Sequence, residues 1–360
     1  MKVVKHQVRL TGSRLGEKLK KLELSRSVTL MEVCGTHTHA LFRSGIRHLL
    51  PDRVKLLSGP GCPVCVTPPG YVDLALQLAG YQDTIIATFG DMIRVPGNRG
   101  SLRQAKAEGA DIRLVCSPLD ALALAEEYPL KRVVFLAVGF ETTAPAVAAT
   151  VLRTAKGGYT NLTFLTAHKV IPNVLRALLT GKEVALDGLL LPGHVATVTG
   201  AQALKFVPED YGVPAAIAGF EPVQMLAALL ELAPMAAESN PVLENLYGEL
   251  VTARGNLQAQ ALMEQVFTTV DSTWRGIGTI PESGLVLKPE LADYDTRLVY
   301  GLAENDSPGP TGCRCGEIIT GKKIPPECSL FKTACTPERP VGPCMVSSEG
   351  TCGAYYKYNV

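Results

Sequence analysis

Short apolar runs recur along residues 28–220, and between them Ala and Leu return at helical spacing. VTLMEV (28–33), VKLLSG (54–59), TIIATFG (84–90) and IRLVCS (112–117) form one series of runs, too short for helices and apolar on both faces, as buried parallel strands are. RVVFLAVG (132–139), LTFLTA (162–167), DGLLLPG (187–193) and AAIAGF (215–220) form a second. The intervening segments, such as VDLALQLAG and EPVQMLAALLEL, read as helices, and several close on Gly. The rhythm is βαβα given twice, which predicts two doubly wound α/β domains, at 1–125 and 126–265. AVGFETTA echoes IAGFEPVQ, and LLSGPG echoes LLLPGH, as a related pair of domains would. Beyond about residue 235 the pattern changes to a mostly helical connector, then to a Gly- and Pro-rich stretch around WRGIGTIPESGLVL. The last segment, 266–360, ends in a Cys-rich tail whose Pro and Gly content leaves its order to bonds made by cysteine.

Composition narrows the setting. With 360 residues and 46% hydrophobic content, the chain has ample core for two or three domains, so it is no disulfide-stapled miniature. The opening MKVVKHQVRLTGS lacks an apolar signal core, which predicts a reducing, cytoplasmic home. No uncharged apolar run is long enough to cross a bilayer. Lys and Arg number 35 against 34 Asp and Glu, so nothing electrostatic marks a nucleic-acid or anionic-membrane partner.

Polar residues collect where the strands end. Cys34, Cys62, Cys65, Asp91 and Glu141 follow predicted strands, as do His168, His194 and Glu221 in the later runs. Ligands of open α/β sheets bind outside the carboxyl ends of strands, so two such edges facing one another would make a single reactive cleft. Any one Asp or Glu at such a position is equally well read as a helix cap or turn residue. Cys34, in MEVCGTHTHA, lies before a predicted helix whose N-terminus favours a thiolate, with His37 and His39 in reach of a metal or proton held there. A free buried Cys is the plain alternative, and paired histidines also pack or cap. GPGCPVC supplies the dithiol Cys62 and Cys65, with no second Cys-x-x-Cys to complete a zinc site. Cys116, in an apolar run, reads as structural.

Six of the ten cysteines stand in the tail, as Cys313, Cys315, Cys328, Cys335, Cys344 and Cys352. The spacing matches no common zinc pattern, and zinc wants four ligands; four thiolates for a [4Fe-4S] cluster with two thiols left over is the natural partition, zinc or disulfides the alternative.

CGTHTHA, GPGCPVC, FGDMIRVPG, GFETTAP, TAHKVIP, PGHV and the tail CRCGEI through GPCMVSSEG to AYY together resemble the HypD family of hydrogenase maturation proteins over nearly the whole chain. The resemblance implies two Rossmann-like domains and a small Cys-rich [4Fe-4S] domain similar to the cluster environment of ferredoxin:thioredoxin reductase. It implies a scaffold on which, with a small HypC-like partner, the Fe(CN)2CO group of [NiFe] hydrogenases is assembled, with cyanide brought by a HypE-like donor and the hydrogenase large subunit served indirectly. Cys34 would bind the assembly iron, with Cys62 and Cys65 as redox-active neighbours and electrons coming through the cluster. By analogy with the reductase, Cys313, Cys328, Cys335 and Cys352 would hold the cluster and Cys315 would pair with Cys344. Asp91, Glu141, His168 and His194 would shuttle protons or orient the bound group, with a purely structural role for each as the alternative, and His37 and His39 would stand near the group held at Cys34. A stand-alone iron–sulfur thiol:disulfide oxidoreductase is the competing class, though CGTHTHA and GFETTAP would then be surplus. A nucleotide-binding enzyme is weak, because neither a P-loop nor a strand-linked GxGxxG occurs.

Overall fold

The computed structural model describes residues 2–181, 184–303 and 312–358, with side chains from residue 11 onward. Twelve strands among these residues form three sheets. β1 (Val28–Glu32), β2 (Val54–Ser58), β8 (Gly188–Pro192), β9 (Ala215–Ala218) and β10 (Leu243–Asn245) make a parallel five-stranded sheet in the order β10-β9-β8-β1-β2. β3 (Thr84–Thr88), β4 (Ile112–Leu114), β5 (Arg132–Ala137) and β6 (Leu162–Thr166) make a parallel four-stranded sheet in the order β4-β3-β5-β6. β3 and β6 are buried at every position, which is why their sequences run apolar without alternation. The α/β architecture with parallel sheets is that expected from the sequence.

Sheet membership does not follow the two sequence series. β5 and β6, which open the second series, pair with β3, whereas β8 and β9 pair back to β1. The four-stranded sheet is thus inserted between the second and third strands of the five-stranded one. Run length and apolarity report that a strand is buried, and every buried parallel strand gives the same report whichever sheet holds it. Renumbered within itself, each sheet has the strand order 2-1-3-4, with a fifth strand added in the larger, and so each reverses direction at one switch point, β1/β8 and β3/β5.

The stretch after residue 235 also differs from its sequence reading. The helical connector is reduced to Leu257–Val266, and the Gly- and Pro-rich stretch is an antiparallel hairpin of β11 (Phe267–Trp274) and β12 (Gly278–Leu287), to which β7 (His168–Lys169) adds. Its exposed strand faces and bulge at Val270/Ser272 hide the alternation expected of a strand. Buried Trp274 locks the hairpin, its indole N–H donating to Ser283 Oγ at 2.8 Å. The tail has short helices, Cys315–Ile319 and Thr351–Tyr358, joined by tight turns, and docks on the helix Gly35–Arg43 through Tyr355 against Phe42. No helix among the described residues is long and apolar enough to cross a membrane.

Candidate functional site

Both switch points open onto one cleft of about 320 Å³. From the larger sheet come Cys34 and Thr36 beyond β1, Gly61 beyond β2, and His194 beyond β8; from the smaller come Asp91 beyond β3 and Gly139, Phe140, Thr142 and Thr143 beyond β5. The facing edges expected from the sequence therefore do face. A larger depression of about 740 Å³, among Tyr81, Arg99, Asp111 and Lys131, opens at the opposite, amino ends of β3 and β5 and holds no thiol.

Cys34 is the N-cap of the helix Gly35–Arg43, as its position after a strand predicts, and is buried. It is not a ready thiolate. Burial, with the Glu349 and Glu32 carboxylates nearby, pushes its thiol up to about 12 against the help of the His37 and Thr36 backbone N–H groups. Gly61 lies directly against the Cys34 backbone, where any Cβ would overlap it, and its carbonyl accepts the Gly35 N–H at 2.9 Å. That contact brings the GPGCPVC loop beside Cys34. Cys62 and Cys65 are joined as a disulfide, spanning the start of the four-residue helix Pro63–Val66.

The sequence reading missed two parts of this site. Glu32, fully buried at the end of β1, accepts the Cys34 N–H at 3.1 Å and the Thr38 hydroxyl, so it fixes the loop from beneath. Burial lifts its carboxyl to about 7, against hydrogen bonds from Ser58, Thr38 and Cys34 and the charge of Arg47. A carboxylate inside the apolar run VTLMEV was the available signal, since a buried acid demands partners. The second part is the tail segment Ser347–Gly350, which lies across the cleft. Asp91 Oδ2 accepts from Ser347 Oγ (3.1 Å), Ser348 N (2.8 Å) and Ser348 Oγ (2.6 Å). Thr36 Oγ1 donates to Glu349 Oε1 at 2.9 Å, His39 Nε2 meets Gly350 O at 3.2 Å, and Cys62 Sγ lies 3.3 Å from the Ser347 hydroxyl. Glu349 itself lines the cleft, its carboxyl raised by burial. No sequence periodicity announces such contacts.

The remaining candidate residues divide. His194 lines the cleft and stacks on Phe220 at 3.9 Å between ring centroids; His37 stacks on Phe220 at 4.5 Å, with Nε2 on Gly219 O. Burial lowers both, His37 to about 4. Glu141 and His168 do not line the cleft. Glu141 is buried, its Oε1 accepting the Ile171 N–H at 2.8 Å, and burial raises it to about 7. His168 is buried beside Phe267 and burial lowers it to about 3. Glu221 is the N-cap of Pro222–Glu238, and Cys116 is exposed just past β4 rather than packed inside a strand.

All six tail cysteines line one small apolar cavity, together with Ile318, Leu330, Phe331 and Met345. Each is a free thiol in this structure, Cys315 and Cys344 included. Among the described residues no three His, Cys, Asp or Glu side chains are set to hold a single metal ion. A multi-iron cluster asks for something else, one thiolate per iron around an apolar hollow, and this donor set fits it. Burial raises the Cys352 thiol, and the neighbouring thiols that raise it further are Cys313, Cys335 and Cys328.

Parallel sheets opposed at their switch points, a buried N-cap cysteine between them and a thiol-lined tail define an α/β protein with two thiol-bearing regions. The family described as HypD, "Hydrogenase formation hypA family", matches residues 11–359. Curated relatives include the hydrogenase maturation factor HypD of Escherichia coli, 43% identical over 92% of this chain and 90% of its own length, and that of Azotobacter vinelandii, 44% identical over 92% and 90%. A putative hydrogenase expression/formation protein of Methanocaldococcus jannaschii is 39% identical over 96% of this chain and 94% of its own. The chain belongs to the HypD family.

Proposed function

We propose that this chain is a hydrogenase maturation factor that works in the cytoplasm as the scaffold for assembling an Fe(CN)2CO group, the iron being cargo held by Cys34. The observation that carries this reading is the convergence of both switch points on one cleft where Cys34 stands beside the loop of the Cys62–Cys65 disulfide. Thiolate suits low-spin iron carrying cyanide and carbon monoxide, and the cleft walls shield it. Because the Cys34 thiol is held neutral, iron binding must displace its proton. Of the two cleft-lining carboxyls Glu349 is the one to receive it, since Asp91 is engaged in holding the Ser347–Ser348 turn that presents Glu349. His194 and His37, neutral on the two faces of Phe220, leave the cleft without a competing cation. Cys62 and Cys65, a disulfide in this structure, would supply two electrons only after two electrons and two protons have returned them to the dithiol, the electrons coming through the tail centre. A HypC-like partner would complete the iron shell, a HypE-like donor would bring cyanide, and the hydrogenase large subunit would receive the product.

The tail cavity is proposed to hold a [4Fe-4S] cluster on Cys313, Cys328, Cys335 and Cys352, with Cys315 and Cys344 as a neighbouring dithiol. When bound, such a cluster supplies single electrons. The Cys62–Cys65 disulfide favours one further reading, a thiol:disulfide oxidoreductase acting on client proteins.

The deciding experiment is infrared spectroscopy of the complex with a HypC-like partner. The Cys34→Ala variant should lose the cyanide and CO bands while the iron–sulfur absorption stays. Bands of wild-type intensity in Cys34→Ala, lost instead in Cys62→Ala, would move the iron to the GPGCPVC loop. Reduction of a generic client disulfide by a chain that never shows these bands would favour the oxidoreductase.

A further inference from the structure

Arg275 takes no part in the cleft. It follows buried Trp274 at the tip of the β11–β12 hairpin, and that tip is pressed onto the tail: Gly276 (φ 73°) and Gly316 are in backbone contact, so that a Cβ on either would overlap the other. The Arg275 N–H donates to Val66 O at 2.7 Å, one residue past Cys65, and Nη2 donates to Pro96 O at 3.1 Å. The residue is only 6% exposed, and its Nε–H is enclosed without a partner. An enclosed guanidinium with an idle donor is costly, and a thiol-rich neighbour that becomes negative would offset that cost. Such a neighbour is present. Arg275 shares a cavity of about 330 Å³ with Cys313, Cys315 and Gly342. Burial disfavours its charge, and what works against burial is, in order, Cys315, Cys313, Cys344 and Asp73. Arg314 lines the same cavity but is exposed and tied to Glu317 at 3.2 Å.

We infer that Arg275 is a positioning residue for the tail thiol centre, its Nε–H the donor available to a sulfur there and its charge stabilising the reduced, more negative state. The same residue grips the segment after Cys65 by its backbone, so one residue ties the Cys62–Cys65 loop to the tail. The inference rests on the cluster reading above. Charge and hydrogen bonds to sulfur are among the factors that set the potential of such a centre.

The test is an anaerobic redox titration of the full chain, followed by its iron–sulfur absorption. At equal ambient potential, Arg275→Gln should lower the reduced-to-oxidised ratio at least about tenfold, a midpoint roughly 59 mV lower for a one-electron couple. Arg275→Lys keeps the charge and loses the planar donor, so a fall of about two- to fivefold is expected. Arg314→Gln should stay within about twofold of wild type, because solvent and Glu317 already screen it. Midpoints of both Arg275 variants on that of wild type, or an Arg314→Gln shift as large as that of Arg275→Gln, would overturn the inference. Should Arg275→Gln fail to fold, Arg275→Met takes its place for the charge and Arg275→Lys tests the donor, unmoved midpoints in both refuting the role. A wild-type chain without the chromophore refutes the cluster reading and this role together, whereas a chromophore with unmoved midpoints refutes only the role.

Discussion

The cleft and the tail cavity solve opposite problems. Cys34, Asp91 and His194 stand on strand ends, so the two sheets place them whether or not anything is bound. The six tail thiols stand on turns and short helices around an apolar hollow, with little regular structure to place them. In the first region the fold makes the site; in the second, if the thiols hold the proposed cluster, the site would make the fold. They meet at Ser347–Gly350, a segment that leaves the tail cavity at Cys344, crosses the cleft and returns at Cys352. Order in the tail therefore governs whether the cleft is closed.

The sharpest way to break this contrast is to remove one tail thiol. Cys352→Ala should abolish the iron–sulfur absorption and make 312–358 the first segment cut in limited proteolysis, while circular dichroism of the parallel sheets persists, because metal binding and local folding are coupled. Simultaneous loss of sheet and tail would mean that the regions fold as one.

Next in size is a change at the junction. A methyl group on Gly35 would overlap the backbone of Glu349, and overpacking of this kind costs about 1–3 kcal/mol. Gly35→Ala should therefore lift Ser347–Gly350 away, exposing Cys62 and Asp91 to solvent with the tail chromophore retained. Hydrogen exchange at Ser348, whose N–H is bonded to Asp91, reads this directly.

A pH series separates two buried acids from one buried base. Glu141 and Glu32, raised to about 7, bind protons more tightly folded than unfolded, so the stability each gives is complete below about 4.5 and is lost as pH rises through 7. His168, lowered to about 3, gives stability that is complete above 6.5 and is lost as pH falls towards 3. Glu141→Gln should gain on wild type by about 3 kcal/mol between pH 5 and 8, as judged by denaturant midpoints, and His168→Leu should gain on it as pH falls below 6. A Glu141→Gln difference that is flat with pH would show that the carboxyl is ionised in the folded chain.

The smallest effect is expected at the tether. Asp91→Asn keeps one acceptor oxygen for the Ser347 and Ser348 donors but loses the charge, and should cost about 1 kcal/mol with the cleft still closed. A loss as large as that in Gly35→Ala would make this tether, not shape, the main hold on the tail.

Much of this protein is written along the chain. Apolar runs of six to eight residues marked the buried parallel strands, and the polar residues at or just beyond their ends marked the edge that became the cleft, because a strand's carboxyl end is a local property. The thiol inventory, the dithiol spacing and the cap at Cys34 are local in the same sense. Tertiary structure alone decided that β5 joins β3 while β8 returns to β1, since buried strands carry no label for their neighbours. It alone set Glu349 against Thr36 across 313 positions, turned Glu141 and His168 away from the cleft, and enclosed Arg275 beside the tail thiols. Burial and period are read from a residue and its near neighbours, whereas partners so distant in sequence are chosen by packing, which exists only once the chain has closed on itself.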